Sequence, residues 1–308
     1  MTRSVLRPTL FLALGAAALA AGPAHATLRV VATLPDLAAI ASEVGGDKVQ
    51  VTALADPAED PHYVDPKPSL LIPLSRADLL IVNGLELEVG WLPPLQASAR
   101  NAAIRTGGPG YLDASVGVRL MEVPQTRIDR SQGDIHPGGN PHYMHDPRAA
   151  IVVAKAIAAR LATLDPPNAS FYAERAQAFV REAQAVVDAE RARFAALPSA
   201  KRRVIGYHRS LTYLEDWLGL TEEATIEPLP GIAPSPGHVA EVLATMRETG
   251  ARVIVQEEYY RRNTSETLAR MARSEMVILH GGTRFAKGER YLDHIRHTAQ
   301  EIHDALSH

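Results

Sequence analysis

The chain has 308 residues, 46% of them hydrophobic and 22% charged, with a formal charge of −3 and no cysteine. This is an ordinary globular composition, long enough for one large domain or two lobes with proper cores. The charge argues against a nucleic-acid or anionic-membrane surface, and the missing thiols exclude disulfides, thiolate metal sites and a cysteine nucleophile.

The first 26 residues read as a cleavable signal peptide. Arg3 and Arg7 supply a positive start, Leu10 to Ala21 an apolar run, and Ala24-His25-Ala26 a small-x-small cleavage site. The apolar run is short for a membrane span. With no cysteine to carry a lipid, the expected product is a soluble periplasmic protein beginning at Thr27.

From there, short apolar strands alternate with helices. Leu28 to Leu34 predicts a strand, Asp36 to Val44 a short amphipathic helix ended by Gly45-Gly46, and Val49 to Leu54 a second strand. Asp56 to Pro68 is a loop with four prolines; Ser69 to Arg76 is helical, and Asp78 to Gly84 is a third strand stopped by glycine. The helix Arg148 to Leu164 follows later. Asn168 to Leu197 holds no glycine or proline and predicts a helix of about 40 Å at 1.5 Å per residue. The first pattern then recurs: strand Arg203 to Tyr207, helix Ser210 to Leu218, proline-rich loop Glu227 to Pro236, helix Gly237 to Thr249, strand Ala251 to Gln256. Strand-helix alternation of this kind implies parallel sheets. The expected fold is α/β, with two lobes, each a parallel sheet flanked by helices, joined by one long connecting helix. The expected boundaries are 1–26 for the leader, 27–167 for the first lobe, 168–197 for the connecting helix and 198–308 for the second lobe.

Three histidines sit beside turns or strand ends: Asp60-Pro61-His62-Tyr63, Asn140-Pro141-His142-Tyr143 and Gly206-Tyr207-His208. Ligands of parallel α/β sheets bind beyond the carboxyl ends of the strands. His62 follows the second strand, His208 follows Val204-Ile205, and His142 precedes a helix, so all three are expected to face one interlobe cleft. Neutral imidazoles at about 2.0–2.1 Å suit Zn²⁺. Pro61 and Pro141 restrict the backbone, and Tyr63, Tyr143 and Tyr207 are expected to wall the site. His294, His297, His303 and His308 fall on a final amphipathic helix and are read as a solvated face, although the i, i+3 spacing of His294 and His297 would allow a metal clamp.

The order of several segments resembles the solute-binding proteins of zinc and manganese ABC importers, bacterial solute-binding protein family 9 or cluster A-I. These are Gly45-Gly46-Asp47, Pro61-His62 with Pro66-Lys67-Pro68-Ser69, Ala77 to Leu85, Asn140-Pro141-His142-Tyr143 with Asp146-Pro147, Tyr207-His208, Glu257 and Tyr291-Leu292. The resemblance covers nearly all of the mature chain. It implies two lobes bridged by a long helix with the metal between them, and it places the metal histidines on His62, His142 and His208. In such proteins a histidine at the third position goes with zinc and a glutamate with manganese. Three nitrogen donors also favour zinc, since Mn²⁺ prefers oxygen.

Two departures follow. The late aspartate of many members is replaced by His280-Gly281-Gly282-Thr283, leaving the fourth position to Glu257, a water or His280, with Glu257 the expected protein donor. The metal-collecting loop of zinc members is reduced to Asp129, Asp134 and His136. The function this implies is periplasmic capture of Zn²⁺ by a monomer and delivery to an ABC importer permease, with a periplasmic zinc chaperone as a further partner. Mn²⁺ or Fe²⁺ as cargo is the alternative. A secreted zinc hydrolase shares the three-histidine pattern, but no His-Glu-x-x-His or Gly-x-Ser-x-Gly motif accompanies it.

Overall fold

The computed structural model describes residues 27–126 and 136–308. The expected leader, and Asp129 and Asp134, lie outside the described residues.

The first lobe opens with β1 (Leu28–Ala32), α1 (Pro35–Gly45) and β2 (Val49–Ala53). It continues through α2 (Leu71–Arg76), β3 (Leu79–Val82), α3 (Leu92–Ser98) and β4 (Tyr111–Asp113) to α4 (Pro147–Leu164). Its sheet is parallel with order β2-β1-β3-β4. The central strands β1 and β3 bury Val30, Val31 and all of Leu79 to Val82, the continuous apolar run expected of a sheet covered on both faces.

The connecting helix α5 spans Ala169–Ala195. Its buried residues, Tyr172, Ala176, Phe179, Ala183, Val186, Val187 and Phe194, recur at intervals near three and four, which is one face of a helix. That face packs on α1 and α4 of the first lobe and on α6 (Thr212–Leu218) and α9 (Tyr291–Ser307) of the second.

The second lobe holds β5 (Arg203–Gly206), β6 (Thr221–Thr225), β7 (Val253–Glu257) and β8 (Glu275–Leu279), with α7 (Pro236–Thr249) and α8 (Asn263–Ala272). Its parallel order, β6-β5-β7-β8, repeats that of the first sheet. Side-chain alternation divides its faces. Val204, Val253 and Val255 join the core shared with α5 and α9, whereas Ile205 and Ile254 join a separate core under α7 and α8.

Each sheet has a strand that the apolar pattern does not reveal. In β4 there are only three residues, and β6, Thr-Glu-Glu-Ala-Thr, has no fully buried position. Both lie at sheet edges, where backbone hydrogen bonds hold a strand that needs no two-sided apolar run. Chain order reverses direction at β1 and at β5, which opens a crevice beyond their carboxyl ends. The loops bearing the three histidines meet there.

Candidate metal centre

His62 and His142 are built by the same local device. Asp60 Oδ1 accepts the His62 backbone N–H at 3.0 Å and lies 2.8 Å from His62 Nδ1. Asn140 Oδ1 accepts the His142 N–H at 2.9 Å and lies 2.9 Å from His142 Nδ1. An Asx residue two positions ahead, with proline between, closes a side-chain turn and captures the ring with the same oxygen. Each intervening carbonyl is also tied: Trp91 Nε1 donates to Pro61 O at 2.9 Å and Asn83 Nδ2 to Pro141 O at 3.0 Å.

His208 follows β5, and its Nδ1 lies 2.8 Å from Glu227 Oε2, which also accepts the Gly231 N–H at 3.0 Å. Glu227 comes just after β6, the parallel neighbour of β5, and its backbone N–H donates to Tyr207 O. Sheet register therefore sets Glu227 beside His208 across 19 residues of sequence.

These partners decide the tautomers. Carboxylates accept, and the Asn140 atom is an oxygen because a backbone N–H already donates to it. Each Nδ1 is therefore an N–H donor, which in a neutral ring leaves the lone pair on Nε2. The Nε2 atoms of His62 and His142 are buried with no hydrogen-bond partner. The ring centroids are 5.2 Å apart for His62 and His142, 5.5 Å for His62 and His208, and 5.2 Å for His142 and His208. The three ligand atoms lie within 4.8 Å of one another. A shift of under about 1 Å per ring brings them onto one ion at about 2.0–2.1 Å. Burial first, and then the neighbouring His62 and His208 rings, hold the His142 pKa well below the ordinary histidine value. His142 is therefore a neutral, metal-ready imidazole at neutral pH.

A cavity of about 490 Å³ opens against His142 and His208, bounded by Glu122, His136, Arg209 and Leu229 among others. His136 lines this cavity, with its ring 5.4 Å from that of His62.

The other sequence candidates fall elsewhere. Among the described residues, the cluster that could hold a metal contains the three histidines and not Glu257. Glu257, at the end of β7, is fully buried, and its Oε1 lies 3.8 Å from His145 Nε2. His280 turns instead to Glu258, with Nδ1 at 3.0 Å from Oε1, and stacks near His297. Of the three tyrosines expected to wall the site, Tyr63 lies 6.1 Å from the His62 ring but is 65% exposed, while Tyr143 and Tyr207 are buried against Tyr213 and Tyr260; the tyrosine beside His208 is Tyr260, with ring centroids 5.8 Å apart. The solvated reading of His294 is corrected: it is 2% exposed, because α9 buries Tyr291, Ile295 and Thr298 and His294 shares that stripe. Sequence reasoning also missed Asp60, Asn140 and Glu227 as the groups that hold the rings. The repeated Asx-Pro-His pattern marks the first two; Glu227 has no local signal.

A family model described as zinc-uptake complex component A, periplasmic (ZnuA), matches residues 30–305. The manganese ABC transporter substrate-binding lipoprotein PsaA of Streptococcus pneumoniae is 26% identical over 226 residues, covering 72% of this chain and 69% of PsaA. The metal ABC transporter substrate-binding lipoprotein FimA of Streptococcus parasanguinis is 24% identical over 251 residues, covering 80% and 77%. A crystal structure of ZnuA superposes with a TM-score of 0.76 at 23% identity, over 91% of this chain and 99% of that one. The Cd-bound periplasmic metal binding protein of Candidatus Liberibacter asiaticus gives 0.74 at 21% identity, over 90% and 98%. At these identities the solved structures establish a shared fold.

Proposed function

The chain belongs to the zinc-uptake complex component A periplasmic family, a family of metal-binding proteins of ABC importers and not of enzymes, and from that premise we propose that its cargo is Zn²⁺. It captures the ion in the periplasm on His62, His142 and His208 and delivers it to the importer's permease. The observation that carries this reading is the convergence of three histidine ring nitrogens within 4.8 Å of one another, each ring held at Nδ1 by an acceptor. Three imidazole nitrogens form a donor set that zinc takes readily and manganese, an oxygen-preferring ion at the weak end of the divalent series, takes poorly. The leader read in the sequence supports periplasmic delivery.

Manganese is the second reading, since PsaA is named for manganese. Competitive loading decides between them. The metal-free protein, offered both ions with manganese in excess and then analysed for metal content, is expected to retain zinc; retained manganese overturns the assignment. His62→Ala, His142→Ala and His208→Ala should each weaken zinc binding by calorimetry, on the order of a hundredfold or more, since even residues behind the ligands cost 10- to 100-fold. Unchanged affinity in all three would remove the site.

A further inference from the structure

Glu257 is 0% exposed, and neither of its carboxylate oxygens has a hydrogen-bond partner. A carboxylate shut away from water without donors is costly, so its neighbours matter. Facing it is His145 of the first lobe, 3.8 Å from Nε2 to Oε1. A shift of about 1 Å turns that spacing into a charge-assisted hydrogen bond.

His145 ends the single 3₁₀ turn Tyr143–His145 that His142 begins, and its backbone N–H donates to His142 O at 3.2 Å. The second lobe already grips this turn. Tyr291 Oη donates to Met144 O at 2.8 Å, Trp217 Nε1 to His145 O at 2.9 Å, and Tyr213 Oη to Asn140 O at 2.8 Å. A loop that belongs to the first lobe by sequence is thus tied to the second by side chains.

We propose that Glu257 is a positioning residue, which through His145 fastens the His142 turn to the second lobe and so sets the rate at which a bound metal leaves. The metal itself stays on the three histidines, the reading on which this inference rests. Drawing the rings onto an ion and drawing His145 onto Glu257 both tighten the seam between the lobes, so each favours the other.

The test measures zinc release to a chelator by stopped flow, and the visible spectrum of the Co²⁺-loaded protein, in Glu257→Gln, His145→Gln and the double variant. Each single change is expected to speed release by about five- to tenfold, the double change no more than the faster single one, as for two partners in one contact. The cobalt spectrum should match that of the unaltered protein. A changed spectrum in Glu257→Gln makes Glu257 a ligand and overturns the proposal. So does unaltered release in either single variant, or multiplied rates in the double. Should Glu257→Gln fail to fold, His145→Gln, at a side chain 14% exposed, decides the release arm alone. His142→Ala separates the two readings. Retained zinc there sinks the metal site itself, whereas lost zinc there with unaltered release in His145→Gln sinks only the positioning role.

Discussion

Asp60-Pro61-His62 and Asn140-Pro141-His142 show how much a three-residue segment can settle. Asx oxygen, proline and imidazole sit close enough that a contact between near neighbours in the chain makes Nδ1 the donor, with no long-range partner needed. A different case is Glu88, between β3 and α3. Its carboxylate accepts from Thr33 Oγ1 at 2.6 Å, from Asn83 N–H at 2.6 Å and from Gly84 N–H at 3.2 Å. Burial nevertheless outweighs those bonds and pushes its pKa up from 4.5 to about 7. The unfolded chain gives up this proton near 4.5 while the folded chain keeps it to about 7. The Glu88 contribution to stability is therefore fully present below the lower value and is lost as pH rises through the upper one, in all about 3 kcal/mol. Urea unfolding at pH 5 and pH 8 should show a smaller loss in Glu88→Gln than in the unaltered protein; equal losses would contradict this assignment.

At the scale of elements, α5 is the part most fully legible in advance. An uninterrupted run rich in alanine, glutamate and arginine after Asp165-Pro166-Pro167-Asn168 needs no partner to be recognised as helix, and the expected 168–197 differs by one or two residues from Ala169–Ala195. Its stability within the protein comes from one apolar face. Phe179, 3% exposed on α5, rests against Tyr291 of α9 with ring centroids 6.2 Å apart. Phe179→Ala should cost about 3–5 kcal/mol in thermal or urea unfolding; a loss below about 1 kcal/mol would mean that the face is not packed as described. The edge strands were hidden for the opposite reason. Nothing in Thr221 to Thr225 marks a strand until β5 offers its backbone.

Across the whole molecule, the seam between lobes is both polar and tight. Asp36 of α1 accepts the Thr283 backbone N–H at 2.9 Å. At Gly281 a Cβ would stand 2.3 Å from the Tyr259 ring and 2.5 Å from Pro57 O, so only glycine admits this approach of the lobes. With one stiff helix spanning the seam, metal binding should tighten the cleft without remodelling α5. Hydrogen exchange should show equal protection of α5 with and without zinc, and added protection on zinc binding in the loops around His62 and His142. Large deprotection of α5 on chelation would count against a stiff connector. The sequence by itself determined the alternation of strands and helices, the long helix, the Asx-Pro-His turns and a donor chemistry of imidazole without thiolate. Those depend on periodicity and on hydrogen bonds between near neighbours. Only the tertiary structure decided that three rings drawn from almost 150 positions converge, that Glu227 holds His208, and that Glu257 faces His145. These are distances between segments remote in the chain, set by how two sheets pack against one helix.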